Sequence, residues 1–372
     1  MPLSEPLHQA GEHPRDYARL WKERSGGKVV GYFCSYTPQE LISAARALPF
    51  RIWSSGADIS RADSHLQAYS CSLVRGALED ALAGRLDFLD GAAFPHTCDS
   101  IMRLSDIWRM NTHFGFHADL VMPVKLNTDS AAEYMTAVLH RFRSDLEKGL
   151  GVNITDQRLH EAIQDWNRVR RLLGSLYARR AGDPSSLGAA ELHQVFRAAM
   201  VMEPRASARA LEALIHSLPA AKPDRRPAGV PIILSGGLCG MPDIHQVVEA
   251  AGGRVVWDDF CTGARYFEGL VDESEEPVAA LARRLLTRVV CPAKHTGIHS
   301  RGHYLLDKVR QQGARGVVFL YLKFCDPHAF DHPYLKAMLD EEGIPSMLIE
   351  VEDATGAEGQ LRTRLEAFME MV

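Results

Sequence analysis

The chain has 372 residues, 46% of them hydrophobic and 24% charged, with a formal net charge of −5. That length exceeds one ordinary core and points to two or three domains, and an acidic balance with no basic run excludes the electrostatic footprint of a nucleic-acid binder. Apolar stretches such as "GVVFLYL" fall far short of the ~20 residues that a spanning helix needs, and the N-terminal stretch has no apolar core of a secretory signal, so a cytoplasmic protein with no membrane attachment is expected.

Residues 1–27 read as a helical extension. From Lys28, "KVVGYFCSYTPQELISAARALPFRIW" reads strand, turn, helix, strand. Thr37, Pro38 and Glu40 there have the spacing of a capping box. "DFLDGAAFPHTC" is a further strand-to-loop passage, "DSIMRLSDIWRM" a helix and "ADLVMPV" a strand. Strands alternating with helices predict a parallel sheet, so residues 28–127 are expected to be an α/β domain. Residues 128–227 carry only amphipathic helical patterns, up to the Pro-rich "AAKPDRRPAGVP". "PIILSGG", "RVVWDDF", "GVVFLYLKF" and "PSMLIEV" then read as strands of a second parallel α/β domain over residues 228–372. The expected fold class is α/β: two Rossmann-like parallel-sheet domains with a helical insert between them.

Seven scattered cysteines without a CxxC pair argue against a disulfide framework and against a zinc ribbon. Six of them (Cys34, Cys98, Cys239, Cys261, Cys291 and Cys325) fall at or just past the carboxyl end of a predicted strand, the edge of an open α/β sheet where ligands bind. Cys71 and Cys98 lead into predicted helices, where the helix N-terminus favours thiolate. Taken singly, each is read as a buried thiol. As a set, thiolates converging on a sheet crevice suit a soft metal or an iron–sulfur cluster, and three of them leave one iron of a cubane open.

The segments "GYFCSYTPQELISAARALPFRIW", "YSCSLVRG", "FPHTCDS", "DDFCTGARYFEGLVDE", "CPAKH" and "LKFCDPHAFDHPYLK" resemble the 2-hydroxyacyl-CoA dehydratase and benzoyl-CoA reductase family, across roughly Val29 to Glu350. The resemblance implies two Rossmann-like domains with a helical region, and one 4Fe-4S cluster held by Cys71, Cys98 and Cys325. A double-cubane relative within the family makes Cys261 and Cys291 candidate further ligands, whereas Cys34 and Cys239 are read as packed thiols. The implied activity is radical dehydration of a 2-hydroxyacyl-CoA thioester through a ketyl. The implied partners are a homologous second subunit, an ATP-dependent iron–sulfur activator and the acyl-CoA substrate. Aromatic-ring reduction of the benzoyl-CoA type is the alternative enzyme. A double-cubane reductase of small molecules, a cluster carrier and a structural zinc protein are alternatives without CoA chemistry.

Beyond the cysteines, Arg265 is read either as a pocket wall facing a phosphate or partner, or as the ion-pair partner of Asp258 or Asp259. His96, His295 and His328 flank the motifs and are weighed as proton carriers against ordinary hydrogen-bonding roles. "LSGGLCGMPD" has glycines before a helix that could receive a phosphate. No Walker A, GxGxxG or GxSxG sequence is present.

Overall fold

The computed structural model describes residues 3–219, 228–237, 244–288, 291–351 and 358–372. The chain starts with α1 (Glu5–Glu12) and α2 (Pro14–Ser25). The first sheet region contains β1 (Lys28–Tyr32), α3 (Gln39–Ala44), β2 (Ala47–Arg51), α4 (Ser72–Leu82), β3 (Gly91–Pro95), α5 (Asp99–Asn111) and β4 (Phe116–Leu120). Four helices follow: α6 (Asp129–Leu150), α7 (Asp156–Gly182), α8 (Ala189–Ala199) and α9 (Pro204–Ser217). The second sheet region contains β5 (Val230–Gly236), α10 (Ile244–Ala250), β6 (Gly253–Asp258), α11 (Ala264–Phe267), α12 (Pro277–Thr287), α13 (Ser300–Gln312), β7 (Gly316–Leu322), α14 (Asp326–Glu341), β8 (Ser346–Val351) and α15 (Glu358–Met371).

The two sheets have equivalent strand orders, β2-β1-β3-β4 and β6-β5-β7-β8, and every described pairing is parallel. The expected α/β class with two parallel sheets is therefore observed. In each sheet the strand order reverses between its first and third strands, which opens a ligand crevice at their carboxyl ends. The strands are nearly all apolar because both faces are covered. One face of the first sheet shares a core with α1, α7, α8 and α9, built on Phe33, Phe94, Trp108 and Trp166. Its other face packs with α6 and α12. The second sheet has its own two cores, around Phe260 and Phe368 on one side and Phe319 and Leu335 on the other. Among the described residues no helix is long and apolar enough to cross a membrane.

Three local expectations are corrected. Thr37 makes no capping box: α3 starts at Gln39 with Pro38 as its N-cap, the Thr37 hydroxyl is buried without a partner, and Glu40 turns inward to pair with Arg170 of α7. A buried guanidinium outcompetes a backbone amide for that carboxylate. The start of the strand expected before Cys291 is helical instead, since α12 runs to Thr287 with Leu281 and Leu285 spaced for a helix face; residues 289–290 lie outside the described residues. The strand read in "ADLVMPV" begins earlier, at Phe116, and ends at Leu120. Cys239 and most of "LSGGLCGMPD" lie outside the described residues.

Candidate functional site

Cys71, Cys98 and Cys325 are the N-cap residues of α4, α5 and α14. Cys98 and Cys325 each sit three residues past the third strand of their sheet, beyond Pro95 and Leu322. The two crevices face one another, and all three cysteines line a single cavity of about 380 Å³. Its wall is completed by Cys291, His295, Arg301 and the exposed apolar side chains Ile298, Phe330 and Tyr334.

The α5 end of the site is held by aromatic packing. Phe33 stacks on Phe94 at 4.9 Å between centroids, and Trp108 meets both edge-on at 5.6 Å, pairs worth ~0.5–1.5 kcal/mol each beyond area burial. The α14 end stands over a buried ion network. Asp259 accepts from the Gly236 amide at 2.8 Å and from Arg301 Nη2 at 2.7 Å, and Arg265 lies 3.2 Å from the oxygen that Arg301 engages. Arg301 also donates to Asp331 at 2.6 Å and to Ser235 at 2.8 Å. Burial alone would raise the Asp259 pKa, but Arg301 and then Arg265 outweigh it and hold the carboxyl at about 2.

A loop from the second sheet region closes the cavity against the first. His295 N–H donates to Val124 at 3.0 Å, and Leu126 N–H donates to His295 at 2.9 Å, forming an isolated parallel bridge. Lys294 is buried there, its Nζ donating to the carbonyls of Met122 at 3.0 Å and His96 at 3.2 Å.

The cysteine thiols are electrostatically distinct. Burial pushes Cys71 up, against the first-turn amides of α4. Burial pushes Cys98 up to about 12, and it pushes Cys325 up as well, with Cys71 adding to the effect. Cys261 goes the other way: burial would raise it, but Arg265, Arg51 and Arg288 lower it, and Arg265 Nη1 lies 3.4 Å from its sulfur. Among the described residues no group of three or more His, Cys, Asp or Glu closes on a point where one metal ion could sit.

Of the other candidates, Cys291 lines the cavity, while Cys261 and Cys34 lie outside its wall. Arg265 is fully buried and engaged by Asp259 and Cys261, not by the cavity. His96 is bonded through Nε2 to Asp119 at 2.8 Å. His328 is buried behind the cavity, 4.7 Å from the Tyr321 ring, and burial pushes its pKa well down. His295 is the histidine on the cavity wall, and its Nδ1 is buried without a partner. Lys294 and Arg301 were not singled out by the sequence. Lys294 lies within "CPAKH" and Arg301 at the start of α13, but a buried cation inside a loop or helix start has no periodic signature.

Comparison with known proteins gives a consistent set of likenesses. The family model of the 2-hydroxyglutaryl-CoA dehydratase D-component matches residues 34–372. The chain is 27% identical over 360 residues to the (R)-phenyllactyl-CoA dehydratase beta subunit of Clostridium sporogenes, covering 96% of each protein. It is 28% identical over 362 residues to a subunit of the benzoyl-CoA reductase of Thauera aromatica, covering 95% of this chain and 94% of that one. It is 26% identical over 375 residues to the (R)-2-hydroxyglutaryl-CoA dehydratase beta subunit of Acidaminococcus fermentans, covering 99% and 98%.

Proposed function

The chain belongs to the 2-hydroxyglutaryl-CoA dehydratase D-component family, and from that premise we propose that it is the iron–sulfur subunit of a 2-hydroxyacyl-CoA dehydratase. The observation that carries the reading is the convergence of Cys71, Cys98 and Cys325, from three helix N-termini and both sheets, on one cavity. Three cysteines lining one cavity suit an iron–sulfur group with one iron left open. When bound, a 4Fe-4S cluster would supply the one-electron step that makes a thioester carbonyl a ketyl, from which the 2-hydroxyl leaves as hydroxide and the β-proton becomes acidic.

The chain's own residues do the rest. Because burial holds the free thiols protonated, loading the cavity must expel their protons. Ile298, Phe330 and Tyr334 at the mouth offer an apolar surface for an acyl chain and keep water from it. His295, which lines the cavity, is the histidine placed to hold or pass a proton. His96 is already bonded to Asp119, and His328 is buried away from the cavity lining. The relatives are named as subunits, so a homologous partner subunit is part of the proposal. With no Walker A sequence of its own, the chain would receive its electron from a separate ATP-hydrolysing activator. A benzoyl-CoA reductase-type role is the second reading, favoured by the Thauera aromatica likeness and by the aromatic rim of the cavity.

Iron and acid-labile sulfide analysis of anaerobically purified protein tests the cluster: about four of each per chain is expected. About eight would favour a double cubane that recruits Cys291 and Cys261, and zinc without sulfide would sink the proposal. Turnover of a 2-hydroxyacyl-CoA should then require the second subunit, the activator and ATP. Turnover by the isolated chain with a weak reductant would refute the mechanism.

A further inference from the structure

Several of the cations buried in this protein have a carboxylate beside them, whereas Arg284 and Arg288 are held by backbone carbonyls. Arg301 has Asp259 and Asp331, Arg170 has Glu40, and Arg265 has Asp259. Lys294 does not. It is 1% exposed, and among the described residues no carboxylate pairs with it. Its ammonium is held by two backbone carbonyls, His96 at 3.2 Å and Met122 at 3.0 Å. Burial lowers its pKa, and the ionisable groups that oppose this are the thiols of Cys34, Cys291 and Cys98. A buried charge without an opposite charge is costly, and such groups are kept where an anion completes them.

The loop that carries Lys294 is unusually well fixed. Lys294 N–H closes a turn on the Cys291 carbonyl at 3.0 Å, and the next residue is bridged on both sides to residues 124–126. The ammonium therefore cannot swing out to solvent without breaking the seam between the two sheet regions. It also ties the peptide two residues before Cys98 to the chain leaving β4. It is a preorganised positive charge buried behind the cavity wall, between the wall residues Ala293 and His295 in sequence and bonded to the loop that leads to Cys98.

We propose that Lys294 is the buried counter-charge of the iron–sulfur group, a positioning residue that favours its reduced state. The inference rests on the cluster reading above. One electron taken from an external one-electron reductant adds one negative charge to the group, and no proton or bond changes hands. A fixed positive charge in a low-dielectric interior stabilises the more negative state. Lys294 also offers what the arginines behind Cys261 do not: it bears directly on the loop of a cavity cysteine.

The test compares wild type, Lys294→Gln and Lys294→Arg, all purified anaerobically. Glutamine keeps a donor for the two carbonyls but removes the charge, and arginine keeps the charge. Iron and sulfide are counted first, and the cluster is then titrated with dithionite-type reductants and followed by electron paramagnetic resonance. Lys294→Gln should hold its cluster but be at least about tenfold less reduced at a fixed potential, which is about 59 mV for one electron. Lys294→Arg should stay close to wild type. The shift should persist at high salt, because a buried charge is little screened. Loss of the cluster in Lys294→Gln but not in Lys294→Arg would also support the proposal. An unchanged midpoint in Lys294→Gln, equal shifts in both variants, or cluster loss in both would overturn it. A wild-type protein without iron and sulfide would instead overturn the functional reading on which the proposal stands, so the two failures are distinguishable.

Discussion

The two sheets have equivalent strand order and deliver a cysteine at the same place, three residues past the third strand, yet they support that cysteine by different physics. Cys98 rests on the Phe33–Phe94–Trp108 stack, a non-directional packing whose parts can adjust. Cys325 stands over Asp259, Arg301 and Asp331, where every member depends on the others being charged and in place. The loops differ too. Phe324, just before Cys325, adopts φ +65°, and no residue of the Cys98 loop has a positive φ. Equivalent topology fixes where a ligand-bearing residue goes, but not how securely it is held.

The sharpest break in the comparison comes from removing the cysteines. Cys71→Ser, Cys98→Ser and Cys325→Ser should each abolish or severely deplete iron and sulfide, whichever sheet is altered, whereas Cys34→Ser should leave them largely intact. Full iron occupancy in Cys325→Ser would show that the second sheet contributes no ligand. Next in size is Arg301→Met, which leaves Asp259 and Asp331 buried without their main cation. It should lower unfolding stability by roughly 3–5 kcal/mol, read by chemical denaturation, and an effect below about 1 kcal/mol, the level of an exposed pair, would mean that the network is not what supports the second sheet.

Acid should weaken the ion network of the second region. The Asp259 carboxyl is held at about 2 in the folded protein, against about 3.9 when unfolded. Its contribution, on the order of 2–3 kcal/mol, is present above the unfolded value and is lost as pH falls from about 4 through about 2. Chemical denaturation across that window should show the loss, and Asp259→Asn should show a smaller fall in stability between those pH values than wild type. The smallest effect belongs to Phe324→Gly. It removes the steric penalty of a left-handed backbone, ~1 kcal/mol, so the melting temperature should rise slightly at unchanged iron content. A fall would mean that the Phe324 ring contributes more than its backbone costs.

The strands and their cysteines were legible in the sequence because apolar runs of strand length end in abrupt polar loops, as at "AAFPHTC" and "FLYLKFC". The sequence misled where one residue type serves two geometries. Glu40 has the spacing of a capping glutamate, but Arg170, 130 residues away, takes it. Leu285 to Thr287 look like the start of a strand because a half-buried helix end is also apolar. His96, His295 and His328 were indistinguishable until the fold gave one of them Asp119, buried another, and left His295 on the cavity wall. Lys294 was invisible for the same reason: whether a lysine is solvated or buried is decided by chain segments far from it in sequence.

The placement of the three cysteines on both sides of the molecule sets a clock on its biosynthesis. Cys71 and Cys98 emerge from the ribosome early, while Cys325 and the loop that closes the cavity are made roughly two hundred residues later. At roughly 5–20 residues per second, the interval is on the order of ten seconds or longer. During it the first sheet region can fold, but its two thiols face an unfinished wall. A truncated product can never complete the cavity, so whatever fills the site can be kept only by a chain synthesised nearly to its end.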